Sequence, residues 1–222
     1  MGRVWAGLAV VAAFVFAVAV VLDLHALRLA VKLLPVIAMI AHARGVAAPT
    51  KETRFVIAGL VASLFGDAFL EIDPAGLFVA GLVSFLIAHV LYVIGFTSDV
   101  RALAPVRALP AYAYGVGVLG LLVADLGRMT IPVGVYTFVI CTMLWRAGAR
   151  VGTSSRATVA MFGAASFAIS DTLIAFSRFG GAYFDEELRR GAPWRLAIMA
   201  LYWLGQWGIA RSLPPASAGD RG

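Results

Sequence analysis

Eight apolar runs alternate with short polar connections along the chain: residues 4–22, 26–43, 54–70, 77–96, 106–124, 130–147, 157–177 and 194–211. Each approaches the ~20 helical residues that cross a bilayer. Pro132 blurs the sixth run and tryptophan and tyrosine positions blur the eighth. The longest connection is "SRFGGAYFDEELRRGAP", residues 177–193, too short to fold separately. The pattern predicts an all-α polytopic transmembrane bundle of about eight spans. It forms one membrane domain over residues 1–211, followed by a disordered tail, "SLPPASAGDRG", over 212–222. The first run has the look of a signal peptide, with Arg3 ahead of an apolar core, but its length fits an uncleaved first span better.

Composition sharpens this. The chain is 62% hydrophobic and 14% charged, against about a quarter charged in soluble domains. The net charge of +6 does not point to nucleic acid, because the basic residues are scattered through short loops rather than gathered on one face. They set orientation instead. One side carries Arg3, Arg44, Lys51, Arg54, Arg101, Arg107, Arg146, Arg150, Arg156, Arg211 and Arg221; the other carries Arg28, Arg128, Arg178, Arg189, Arg190 and Arg195. The bias predicts both termini in the cytoplasm, with the protein in a bacterial inner membrane. Cys141 is the single cysteine, so neither a disulfide framework nor a cysteine metal site is expected.

The runs also echo one another. Asp67 in "SLFGDAFL" and Asp171 in "SFAISDTLIAF" lie 104 residues apart, and each follows a polar residue, Lys32 or Tyr136, by 35. Two parallel four-helix halves would give this spacing.

Polar residues inside spans carry the candidate chemistry. Lys32, Asp67, His89 and Asp171 are the costly ones; Tyr92, Tyr136, Ser170, Tyr202 and Gln206 can hydrogen-bond. An ionised carboxylate at the bilayer centre costs at least ~3 kcal/mol, so such residues are functional by default. Small residues around both aspartates (Gly59, Ala62, Ser63, Gly66; Gly163, Ala164, Ala165, Ser166) permit close helix packing. Two desolvated carboxyls brought together would not both ionise, which sets a general acid beside a general base. The plainer alternatives are a kink cap or an ion pair with Lys32, and Lys32 can also snorkel. His89 is as readily structural as catalytic. "GVGVLG", residues 115–120, matches a dinucleotide pattern but follows no strand, and "LFGD" lacks the first glycine of intramembrane aspartyl proteases. Three scattered histidines make no metal site.

Taken together, "GLVASLFGDAFLEID", "FVAGLVSFLIAHVLYVIGF", "IPVGVYTFVICTM" and "GAASFAISDTLIAFSRF" resemble the YhhN family of multi-span proteins, the lysoplasmalogenases, over roughly Lys32 to Gln206. Family members often place proline directly after the second-span lysine; here it is Pro35, three residues on. The resemblance implies hydrolysis of the vinyl-ether bond of lysoplasmalogen to a fatty aldehyde and glycerophosphoethanolamine or glycerophosphocholine. The implied partner is a lysophospholipid taken from the surrounding membrane lipids. Asp67 and Asp171 would divide the acid and base roles without metal, nucleotide or other cofactor. Tyr92, Tyr136, His89 and Gln206 would orient water and leaving oxygen, with Ser170 and Tyr202 beside them. Lys32 would meet the headgroup phosphate or keep one aspartate ionised. Two other classes use the same residues: a proton-coupled transporter with the carboxylates as relay, and a structural lipid-binding bundle in which they only join helices.

Overall fold

The computed structural model describes residues 3–216. Nine helices follow in order: α1 (Arg3–Val21), α2 (His25–Val46), α3 (Lys51–Ile72), α4 (Phe78–Asp99), α5 (Ala108–Leu126), α6 (Thr130–Arg150), α7 (Ser155–Phe179), a short α8 (Glu186–Arg190) and α9 (Ala192–Arg211). Eight are long, one for each apolar run, and among the described residues there is no extended strand. The helices overrun several predicted ends. Polar residues such as Glu71 and Arg150 belong to the helices because each finds a buried partner there.

Four stretches, α2, α3, α4 and α7, are long and apolar enough to span a membrane singly, and the continuous stretch 105–150 holds α5 and α6. The chain is an all-α polytopic membrane bundle. α9 falls short of that apolarity because part of its face is spent on Tyr202, Gln206 and glycines turned to the interior.

Six helices close a ring in the order α2, α3, α4, α6, α7, α9 and back to α2. The α1 helix packs outside against α2 and α9, and α5 outside against α6 and α7. A 104-residue offset carries α1, α2 and α3 onto α5, α6 and α7 to within three residues at every end. It also carries one helix cap onto another. Thr50 Oγ1 accepts from Thr53 N at 3.1 Å, and Ser154 Oγ accepts from Ala157 N at 3.2 Å. The fourth pair, α4 and α9, is displaced further because α8 and its turn are inserted ahead of α9.

The packing of the two halves also differs. α1 reaches α9, whereas α5 leans on α7 and makes no packed contact with α4. A cleft lies there.

Close approach is bought with glycine. A Cβ on Gly163 would sit 2.7 Å from Ile209 N and 2.8 Å from Gly205 O, so α7 and α9 meet backbone to backbone. A Cβ on Gly59 would strike the Tyr92 ring at 2.3 Å, so α3 packs flat on that tyrosine. Pro35 lies inside α2 and is buried; it leaves Val31 without its helical donor yet does not end the helix.

At the end where α2 and α9 finish, buried Arg150 bonds Asp99 at 2.8 Å and the carboxylate of buried Glu52. Arg146 donates to Ala102 O at 2.9 Å and to Val100 O, and Arg107 caps the end of α6 at Gly148 O and Val151 O. The start of the expected disordered tail is ordered: Leu213 is buried, Ala48 N donates to Pro214 O at 2.8 Å, and Ala216 N donates to Val46 O at 2.9 Å. The backbone polar groups of the α2–α3 connection supply the partners that hold it. Residues 217–222, with Arg221, lie outside the described residues.

Candidate active site

Two polar clusters sit inside the ring, one around each aspartate. In the first, Lys32 Nζ on α2 lies 3.6 Å from Asp67 Oδ1 and 3.5 Å from Glu71 Oε2, both on α3 one helical turn apart. Arg28, one turn from Lys32, donates to Glu71 Oε1 at 2.9 Å and to Asp23 Oδ1 at 2.5 Å. An ion chain therefore runs from exposed Asp23 to Asp67, which is 2% exposed. The Arg28 guanidinium holds the Asp23 carboxyl below its ordinary range.

In the second cluster, the Tyr136 hydroxyl on α6 donates to Asp171 Oδ2 on α7. His89 Nε2 on α4 lies 3.5 Å from the same oxygen. His89 Nδ1 is 2.6 Å from Phe85 O, and a carbonyl can only accept, so Nδ1 carries the hydrogen. In a neutral imidazole Nε2 is then an acceptor facing a carboxyl oxygen. At 3.5 Å the two are in contact without a hydrogen bond, and His89 Nε2 is itself a buried atom without a partner; a neutral carboxyl–imidazole pair avoids burying two charges.

Between the clusters stand Tyr202 and Gln206 on α9 and Tyr92 on α4. The Tyr92 hydroxyl donates to Gln206 Oε1 at 2.7 Å across the ring. Phe85, Phe167 and Tyr202 pack edge to face with centroids 5.3–6.0 Å apart. Ser170 Oγ donates to Ile198 O at 2.9 Å, which joins α7 to α9. Among the described residues no hydrogen bond joins Asp67 to Asp171; each carboxylate has its own neighbours.

Buried polar atoms without a protein partner gather here: Ser63 Oγ, Asp67 Oδ2, Asp171 Oδ1, Tyr202 OH and Gln206 Nε2. Such atoms fit a site that receives water or substrate. No group of three or more His, Cys, Asp or Glu side chains converges among the described residues.

The cleft reaches Asp171 and Tyr136. It is open on one side, has about 60 Å³ of free space, and lies among α4, α5, α6 and α7 with Leu70 of α3 at its edge. Leu82, Val118, Leu122, Ile140 and Ile174 make it apolar, and Asp171 is its single carboxyl. Asp67, Lys32, His89, Tyr92, Tyr202, Ser170 and Gln206 do not line it. Glu71 and Arg28 are the charged residues that the sequence did not single out. The 54–70 run stopped one residue short of Glu71, although its spacing of four from Asp67 places it on the same helical face.

The YhhN family model matches residues 27–213. The chain belongs to the YhhN family. It is 33% identical over 196 residues to human lysoplasmalogenase TMEM86A, covering 82% of this chain and 76% of that protein. It is 30% identical to pig lysoplasmalogenase TMEM86B, covering 82% and 74%. The lysoplasmalogenase of Mycobacterium bovis is 36% identical over 154 residues, covering 64% of this chain and 54% of that one. No solved structure matches it.

Proposed function

We propose that this YhhN protein hydrolyses the vinyl-ether bond of a lysoplasmalogen within the membrane, with Asp171 as the proton donor. The observation that carries the reading is an apolar cleft whose one carboxyl, Asp171, is held by Tyr136 and His89. The lysoplasmalogenase names of its relatives point the same way.

A vinyl ether is protonated at the alkene carbon remote from oxygen, which breaks the π bond and leaves an oxocarbenium ion. Asp171 gives that proton, and Tyr136 stabilises the carboxylate left behind by donating to it. Water adds to the cationic carbon and loses a proton to the Asp171 carboxylate, which resets the acid. The hemiacetal collapses to aldehyde and alcohol, so one water is consumed per bond broken. Asp67, ionised beside Lys32, supplies negative potential toward the cation. A substrate that resides in the bilayer explains a hydrolase built between helices.

The transporter reading draws on the repeated halves and the ion chain that reaches Asp67. Purified protein in detergent, with no gradient, separates the two. Aldehyde from lysoplasmenylethanolamine but none from its saturated-ether analogue supports hydrolysis. No aldehyde from folded protein, with uptake by proteoliposomes under a proton gradient, overturns it. The cytoplasmic placement of both termini, which the loop charges favour, is testable with terminal reporter fusions.

A further inference from the structure

We infer that Arg178 is the phosphate anchor of the substrate headgroup, an assignment that rests on the lipid-hydrolase reading above. Lys32 and Arg28 are poor candidates, because Asp23, Asp67 and Glu71 surround them with three carboxylates to two cations. A phosphate entering there would meet surplus negative charge.

Arg178 is different. It is exposed, in the last turn of α7, and has no carboxylate partner among the described residues. Its guanidinium stacks 4.0 Å from the Phe78 ring and donates to Pro74 O at 3.1 Å. One carbonyl bond leaves most of its five donors free for a phosphate. Phe78 and Phe179, which pack edge to face, both line the cleft, so Arg178 stands at its end. Arg189 donates to Ser177 O at 2.8 Å and Phe184 O at 2.9 Å and so holds the turn that carries Arg178.

The spacing agrees. Arg178 follows Asp171 by seven residues, two helical turns on nearly the same face and ~10.5 Å along the axis. From the protonated carbon of a lysoplasmalogen to its phosphorus is a chain of about seven bonds, ~8 Å extended by the reach of a peptide backbone. Arginine side chains close the difference. A purely structural role, a cation completing a helix C-terminus and stacking on a ring, predicts a stability effect alone.

The test measures equilibrium binding of two unreactive ligands to the purified full chain in detergent by intrinsic tryptophan fluorescence. One is a saturated 1-O-alkyl lysophosphoethanolamine; the other is the matching 1-O-alkylglycerol, which lacks phosphate. Inorganic phosphate is the competitor. Wild type should bind the phospholipid about tenfold or more tightly than the glycerol ether. Arg178→Gln should bind both with the wild-type affinity for the glycerol ether, and Arg178→Lys should restore most of the preference. Inorganic phosphate at millimolar concentration should displace little, since chain burial holds the lipid. A phosphate preference that survives Arg178→Gln, its absence from wild type, or equal loss of both ligands in Arg178→Gln overturns the anchor. An Arg178-dependent preference in a protein that forms no aldehyde would instead sink the hydrolase reading and leave the anchor standing.

Discussion

Tyr136 donates its hydroxyl to Asp171 from 35 residues away, the same separation that sets Lys32 beside Asp67. Corresponding positions of two related halves thus hold a phenol in one and an ammonium in the other. The half with the ammonium pairs its aspartate as an ion; the half with the phenol offers its aspartate a neutral hydrogen bond at the wall of a cleft. On the reading proposed above, the difference at this one position separates an electrostatic partner from an acid.

Asp171→Asn should therefore lower turnover by at least ~10²-fold, the scale of general acid catalysis. Asp67→Asn should lower it less, because its charge acts at a distance. Aldehyde release by both variants, each checked for a monodisperse elution profile, decides the order.

Lys32→Met leaves Asp67 without a cation in a buried setting, while Glu71 keeps Arg28, and removing one partner of such a buried pair costs ~3–5 kcal/mol. The variant should unfold at a lower temperature in detergent. Adding Asp67→Asn should recover part of the loss, whereas independent sites would give additive losses.

Gly163→Ala should separate α7 from α9, since the new Cβ would overlap backbone at 2.7–2.8 Å. A loss of ~1–3 kcal/mol is expected from overpacking. Gly117→Ala, where a Cβ meets nothing within 4 Å, should be neutral or stabilising. Thermal unfolding of the two variants makes the comparison, and equal shifts would deny the backbone contact.

Much of this architecture was legible in the sequence. Eight apolar runs became eight long helices, and the 104-residue echo of two aspartates extends to helix ends and to the Thr50 and Ser154 caps. The helices extend beyond the apolar runs where charged residues lie inside them, since the partners that bury Glu71 and Arg150 come from other helices and leave no local signal. The intramembrane polar residues did gather, in two clusters rather than one carboxylate pair. The cleft was not legible: it depends on α5 leaning on α7 rather than α4, which is decided by packing among side chains distant in sequence.

Ala175→Phe should fill that cleft. KM should rise several-fold at every chain length with kcat little changed, because Ala175 lies between Asp171 and Arg178, where the glycerol backbone would pass, and only ground-state binding is lost. A fall in kcat with KM unchanged would place the substrate elsewhere.

The most direct measurement is hydrolysis of a lysoplasmalogen in D₂O, with the aldehyde reduced at once and analysed by mass spectrometry. Carbon protonation by an exchangeable acid predicts one deuterium at the carbon next to the carbonyl, and no labelled product from Asp171→Asn. Labelled aldehyde released by Asp171→Asn at a rate near that of the wild type would contradict the role given to Asp171.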